Sequence, residues 1–181
     1  MVNYPNILLI GGNARNSGKT SLACEIIRKF SFDMPIIGLK VTRMKPDEGS
    51  FHGAHSMQED SSFFEETDIE GKKDTSRMLK AGAKRVFYLC VMEERLIEAM
   101  DKLNAIIPVG SLLVCESRSL RNYLEPGVFI LMMRETSHGE GKDMTGFIKD
   151  ADFVSGSGNS LAGIAEIVSH ISLKDLAWRF E

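Results

Sequence analysis

Ile7-Leu-Leu-Ile-Gly-Gly-Asn-Ala-Arg-Asn-Ser-Gly-Lys-Thr-Ser-Leu22 decides how the rest of the chain reads. A short apolar run ends in two glycines, a polar loop follows, and Gly18-Lys19-Thr20 opens an amphipathic segment. Strand, glycine-containing loop and helix in that order form the layout of a phosphate-binding P-loop. Backbone N–H groups of such a loop face a concave nest, and the helix behind it adds partial positive charge. Lys19 is expected to reach the outer phosphates of a nucleotide, and the Thr20 hydroxyl to hold Mg²⁺. The whole run Gly12, Asn13, Ala14, Arg15, Asn16, Ser17, Gly18, Lys19, Thr20 and Ser21 is expected around the phosphates. The usual spacing puts a glycine five residues before Gly18; Asn13 stands there, and Gly12 is one step further back. Either the loop is one residue longer than the common form, or Asn13 takes the left-handed conformation of a glycine.

At 181 residues the chain is expected to form one domain with a real core. With 22 basic and 25 acidic residues the net charge is −3, which gives no basic surface for nucleic acid. Ile7–Ile10 is too short for the apolar core of a signal peptide, and no apolar run is long enough to cross a bilayer. Cys24, Cys90 and Cys115 are far apart, odd in number and set in apolar stretches. They read as reduced core residues of a cytoplasmic protein, not as a zinc site or a disulfide framework.

Leu22, Ala23, Ile26, Ile27 and Phe30 form one stripe of a helix over Thr20–Phe30, as packing on a sheet requires. Pro35–Val41 reads as a strand buried on both faces apart from Lys40. From Arg43 to Gly71 periodicity disappears, and a loop of that length is usually functional or disordered. Asp74 is expected to cap a helix running to about Ala81, ended by Gly82. Further strands are expected at Arg85–Val91, Ser111–Glu116, Val128–Met133 and Asp152–Val154. Further helices are expected at Glu93–Asn104, with Leu96, Ile97, Met100 and Leu103 inward, and at Ser160–Ile171, with Leu161, Ile164, Ala165, Val168 and Ile171 on one side. Trp178 and Phe180 in the tail either cover a core edge or meet another subunit. Apolar strands alternating with helices predict an α/β fold: a mostly parallel sheet with helices on both faces, of P-loop NTPase type. Ligands of such sheets bind beyond the carboxyl ends of the strands, so those ends carry the candidate residues.

Glu116 ends an apolar strand as the acid of a Walker B strand does, where it would bind Mg²⁺ or orient an attacking group. Lys40 ends a buried strand, where an ammonium needs a partner: a phosphate or carboxylate ligand, or a structural ion pair with Glu116 or Asp74. His52 and His55 read either as ligand contacts or as solvated loop residues. Arg15 and Arg118 read either as phosphate contacts or as solvated arginines, and Ser155-Gly-Ser-Gly-Asn159 as a base pocket or a plain turn.

Together these residues resemble the molybdopterin-guanine dinucleotide biosynthesis protein B family. The likeness runs through the phosphate loop, Gly38-Leu-Lys40, the histidine-containing loop, Gly71-Lys-Lys-Asp-Thr-Ser-Arg77, Ala81-Gly-Ala83 and Leu113-Val-Cys-Glu-Ser117. Ser117 stands where that family has glycine, and no Asn-Lys-x-Asp guanine motif is present. The resemblance implies a GTPase-like protein that binds GTP with Mg²⁺, is often a homodimer, and assists a nucleotidyltransferase in molybdenum cofactor maturation. It implies slow or partner-dependent hydrolysis, with Lys19 and Glu116 as the catalytic pair and Thr20 and Glu116 at the metal. Lys40, His52, His55 and Asp74 match motif positions that would then meet ligand or partner; Arg118, outside those motifs, is a further candidate for substrate or partner contact.

Two other readings stay open. The loop from Gly12 to Thr20 also resembles that of dethiobiotin synthetase, which implies an ATP-dependent small-molecule ligase or kinase. A nucleotide-sensing module, with the 43–71 segment signalling to a partner protein, is the third.

Overall fold

The computed structural model describes residues 1–44, 63–136, 141–156 and 161–181. His52, His55, residues 45–62 of the expected long loop and residues 157–160 lie outside them.

Seven strands form one sheet: β1 (Val2–Gly12), β2 (Ile36–Arg43), β3 (Phe63–Glu65), β4 (Arg85–Val91), β5 (Leu112–Glu116), β6 (Leu124–Met132) and β7 (Phe153–Ser155). Their order is β3-β4-β2-β5-β1-β6-β7, and every neighbouring pair is parallel except β3 with β4. Five α-helices accompany them among the described residues: α1 (Lys19–Phe30), α2 (Asp74–Lys80), α3 (Leu96–Ile106), α4 (Thr145–Ile148) and α5 (Leu161–Ser169).

Side chains of a strand alternate between faces, and β1 shows what this does to the core. Leu8 and Ile10 join Leu22, Ile26 and Ile27 of α1, Met78 of α2 and Ile164 and Ile167 of α5. Ile7 and Leu9 join Leu96, Met100 and Leu103 of α3 on the opposite face, with Met144 beside α4. Helices therefore cover both faces, and each central strand is a continuous apolar run because neither face meets water.

Register then sets the strand ends. Ile10 pairs with Glu116 across β1 and β5, while Lys40 pairs with the same Glu116 across β2 and β5. Gly11 and Gly12 run past that level and pair with Leu131 and Met132 of β6. Lys40, Glu116 and the loop after Gly12 thus share one end of the sheet.

Several elements differ from what periodicity predicts. β3 lies inside the expected 43–71 loop; a three-residue edge strand leaves no periodic trace. A 3₁₀ turn at Glu93–Arg95 precedes α3, and Ile97 points outward at 42% exposure. α5 buries Ile164, Ile167 and Val168, whereas Leu161 and Ala165 are exposed. Ile171 leaves the helix to open an antiparallel hairpin of β8 (Ile171–Lys174) and β9 (Ala177–Phe180). That hairpin carries Trp178 into the core at 0% exposure. Its indole N–H lies 3.0 Å from the Asn6 carbonyl and 3.1 Å from that of Leu113, and its ring meets Phe30 edge-on at 5.1 Å.

Candidate functional site

The Gly12–Thr20 loop is shaped by two backbone requirements. A Cβ on Gly12 would lie 2.7 Å from both the Met132 carbonyl oxygen and Ser17 Oγ, so the loop starts where only glycine fits. Asn16 has φ 56° and Gly18 φ 89°, while Ser17 between them is not left-handed. Such alternation turns successive N–H groups toward one side, the geometry of an anion-binding nest. Asn13 is not left-handed, so the second of its two readings fails, and the loop is counted from Gly12. α1 starts at Lys19 with no side-chain cap and no acidic residue in its first turn. Its positive end and first amides therefore face the loop without a side-chain cap from Gly18.

Asn13 is buried and anchors the loop sideways. Its Nδ2 donates to the Arg134 carbonyl at 2.7 Å, and the Arg134 N–H returns a bond to Oδ1 at 3.0 Å. The Lys142 N–H donates to the Asn13 carbonyl at 2.9 Å, and Arg134 Nη1 donates to the Arg15 carbonyl at 3.2 Å. The segment after β6 is thus strapped along the loop.

Lys19 folds back over the loop, donating to the Ala14 carbonyl at 2.7 Å and to Ser17 Oγ at 2.9 Å. Burial pushes its pKa below the usual 10.5, against the pull of the Glu116 carboxylate. Thr20, 8% exposed, donates from Oγ1 to Glu116 Oε2 at 2.7 Å, and Glu116 is itself 7% exposed. Lys40 donates to Asp74 Oδ2, and its Nζ lies 3.7 Å from Glu116 Oε1.

Asp74 is not the helix cap that its position suggests. Lys73 holds the cap position, and Asp74 is the first residue of α2. Burial works to raise the Asp74 pKa but is outweighed by the Lys40 hydrogen bond and charge, a Thr20 hydrogen bond and the Arg77 charge. The carboxyl is held below its usual value. Arg77 Nη1 lies 3.7 Å from Asp74 Oδ1, and its Nη2 donates to Ser21 Oγ at 3.2 Å.

One site therefore collects Gly12 to Ser21, Lys40, Asp74 and Glu116. Arg15 is exposed at its rim. Arg118 turns elsewhere: it donates to the Asp143 carbonyl at 3.3 Å and lies 5.6 Å over the Phe147 ring. Ser155 Oγ accepts the Met133 N–H at 3.1 Å. Arg134, Lys142 and Arg77 join the site although sequence reasoning gave them no role; only the Asp74–Arg77 spacing of one helical turn was a readable signal. Glu66 was also missed. It is 4% exposed, accepts from Thr75 Oγ1 at 2.7 Å and from the Asp68 N–H at 3.0 Å, and so ties the segment before α2 to that helix.

Two ammonium groups flank a hydroxyl–carboxylate pair here. Thr20, Glu116 and Asp74 offer hard oxygen donors, the type Mg²⁺ takes beside phosphate oxygens and water. Among the described residues no group of three or more His, Cys, Asp or Glu could hold a metal. The donor set therefore fits a cation shared with a ligand better than one caged by protein. No described helix is long and apolar enough to cross a membrane. Comparison with protein-family models, with curated proteins and with solved structures gave no match.

Proposed function

We propose that this protein is a P-loop NTPase-type binder of a Mg²⁺–nucleotide, acting as a slow or partner-dependent nucleotide hydrolase. The observation that carries the reading is Lys19, held over a loop with left-handed residues at Asn16 and Gly18, one residue from the Thr20–Glu116 bond. The loop amides and the start of α1 would hold the phosphates, and Lys19 would exchange the Ala14 carbonyl for a phosphate oxygen. Thr20 and Glu116 would hold Mg²⁺, which supplies charge neutralisation at the phosphates when bound. GTP is the nucleotide, and an accessory role in molybdenum cofactor maturation the setting, that the resemblance of residues 71–83 implies.

A second reading is favoured by one observation. Because Gly12 is the tightly packed glycine, five residues separate it from Gly18, the longer loop of an ATP-dependent ligase or kinase. Lys40, Asp74 and Arg77 would then flank a small anionic substrate beside the outer phosphate.

A thermal-shift series with ATP, GTP and their diphosphates, each with Mg²⁺, tests the common core, because a ligand of the native state raises the melting point. A rise with one nucleotide is expected; no rise with any of them rejects nucleotide binding. Turnover that needs a protein partner supports the accessory role, and turnover that needs only a small carboxylic acid supports the ligase.

A further inference from the structure

Lys40 sits between two carboxylates from different elements, Asp74 of α2 and Glu116 of β5. The sheet makes this unavoidable on one side, since Lys40 and Glu116 are direct neighbours across β2 and β5. Thr20 closes the ring: its hydroxyl donates to the other oxygen of Glu116. Thr20 and Glu116 are the oxygen donors assigned above to the cation, Asp74 offers a further carboxylate beside them, and an ammonium already lies among the three.

We propose that Lys40 is a tethered counter-cation that keeps divalent metal out of the nucleotide-free site. Placing the metal site at these residues rests on the Mg²⁺–nucleotide reading; the exclusion itself concerns the empty protein. Glu116 is buried at 8% side-chain exposure, and a buried carboxylate needs a compensating charge. Lys40 is the one cation within 4 Å of both carboxylates among the described residues, with Arg77 3.7 Å from Asp74 and Lys19 acting on Glu116 from the loop side. A divalent ion would supply two positive charges, but it would have to enter against a like charge a few ångströms away. The Lys40 side chain is 24% exposed on a flexible stem, so it can leave when phosphates offer a better partner. Metal would then arrive with the nucleotide and not before it.

An ion pair serving only to fasten α2 to the sheet predicts something different. Removing Lys40 would then loosen the fold without creating affinity for metal.

The test is Mn²⁺ binding to nucleotide-free protein, read from the electron paramagnetic resonance of the unbound ion. Lys40→Met is expected to bind Mn²⁺ about tenfold or more tightly than wild type, the scale of removing one nearby like charge. Lys40→Arg, which keeps the charge, is expected to stay at the wild-type level. Adding Glu116→Gln to Lys40→Met is expected to abolish the gain. Lys40→Gln, melted with and without Mn²⁺, gives a second route if Lys40→Met folds poorly: its melting point should rise with Mn²⁺ where that of wild type does not. Equal Mn²⁺ affinity of wild type and both neutral variants overturns the proposal, as does a gain that survives Glu116→Gln. Since no nucleotide is present, a wild type that fails to bind any nucleotide removes the proposed function and leaves this result standing.

Discussion

Asn13 and Arg134, 121 residues apart in sequence, exchange two hydrogen bonds between one side chain and one backbone unit. The asparagine amide acts here as a short piece of strand, carrying the edge of β6 across to the loop. Asn13→Ala removes both bonds and leaves a part-buried carbonyl and N–H unpaired. We expect it to cost about 1–3 kcal/mol in urea denaturation and to weaken nucleotide binding. A variant with wild-type stability and affinity would show that the strap is decoration.

Lys19→Ala removes the one ammonium that lies within the Gly12–Thr20 loop. Binding of Mg²⁺–nucleotide, measured by calorimetry, is expected to fall below detection, while the fold persists. Unchanged affinity would count heavily against phosphates lying in this loop.

Trp178→Ala should destabilise the protein by about 3–5 kcal/mol, the range for truncating a buried aromatic residue. It empties a fully buried site and removes the indole N–H that the Asn6 and Leu113 carbonyls accept. Chemical denaturation measures it; a loss below about 1 kcal/mol would place the hairpin outside the cooperative core.

Glu66 makes acid sensitivity predictable. Burial works to raise its pKa, but bonds from Thr75 and the Asp68 N–H, with the Lys73 charge, outweigh this and hold it below the usual 4.5. The native state therefore binds this proton more weakly than the unfolded chain does. Its stabilising contribution is complete above 4.5 and is lost as pH falls from there through the lower native value. Glu66→Gln should be less stable than wild type at neutral pH and should lose less stability on acidification to about pH 3. Parallel pH–stability curves for the two proteins would refute the assignment.

Local pattern made the sheet and α1 legible. β1, β2, β5 and β6 are apolar runs, and α1 carries an unbroken stripe from Leu22 to Phe30. The meeting of Lys40 with Glu116 was not legible to the same degree: their residue types could be read, but which strand lies beside which is set by packing of the whole chain. The Asp74 side chain shows the limit well. Its sequence position suits a cap, yet a long-range partner, Lys40, claims the carboxylate instead. Trp178 was ambiguous because a four-residue strand near the end of the chain has too few residues to show which side is covered. Arg134 gave no signal at all, since what recruits it is the amide of Asn13.

β1 lies between β5 and β6, and its residues Leu8, Leu9 and Ile10 are shielded on both sides. Amide protons at such positions exchange with solvent only when most of the molecule opens. The loop is thus rooted in the last part of the protein to give way. Under the proposed function, ligand capture then need not spend its free energy on building a receptor, only on rearranging the few side chains that stand in the doorway.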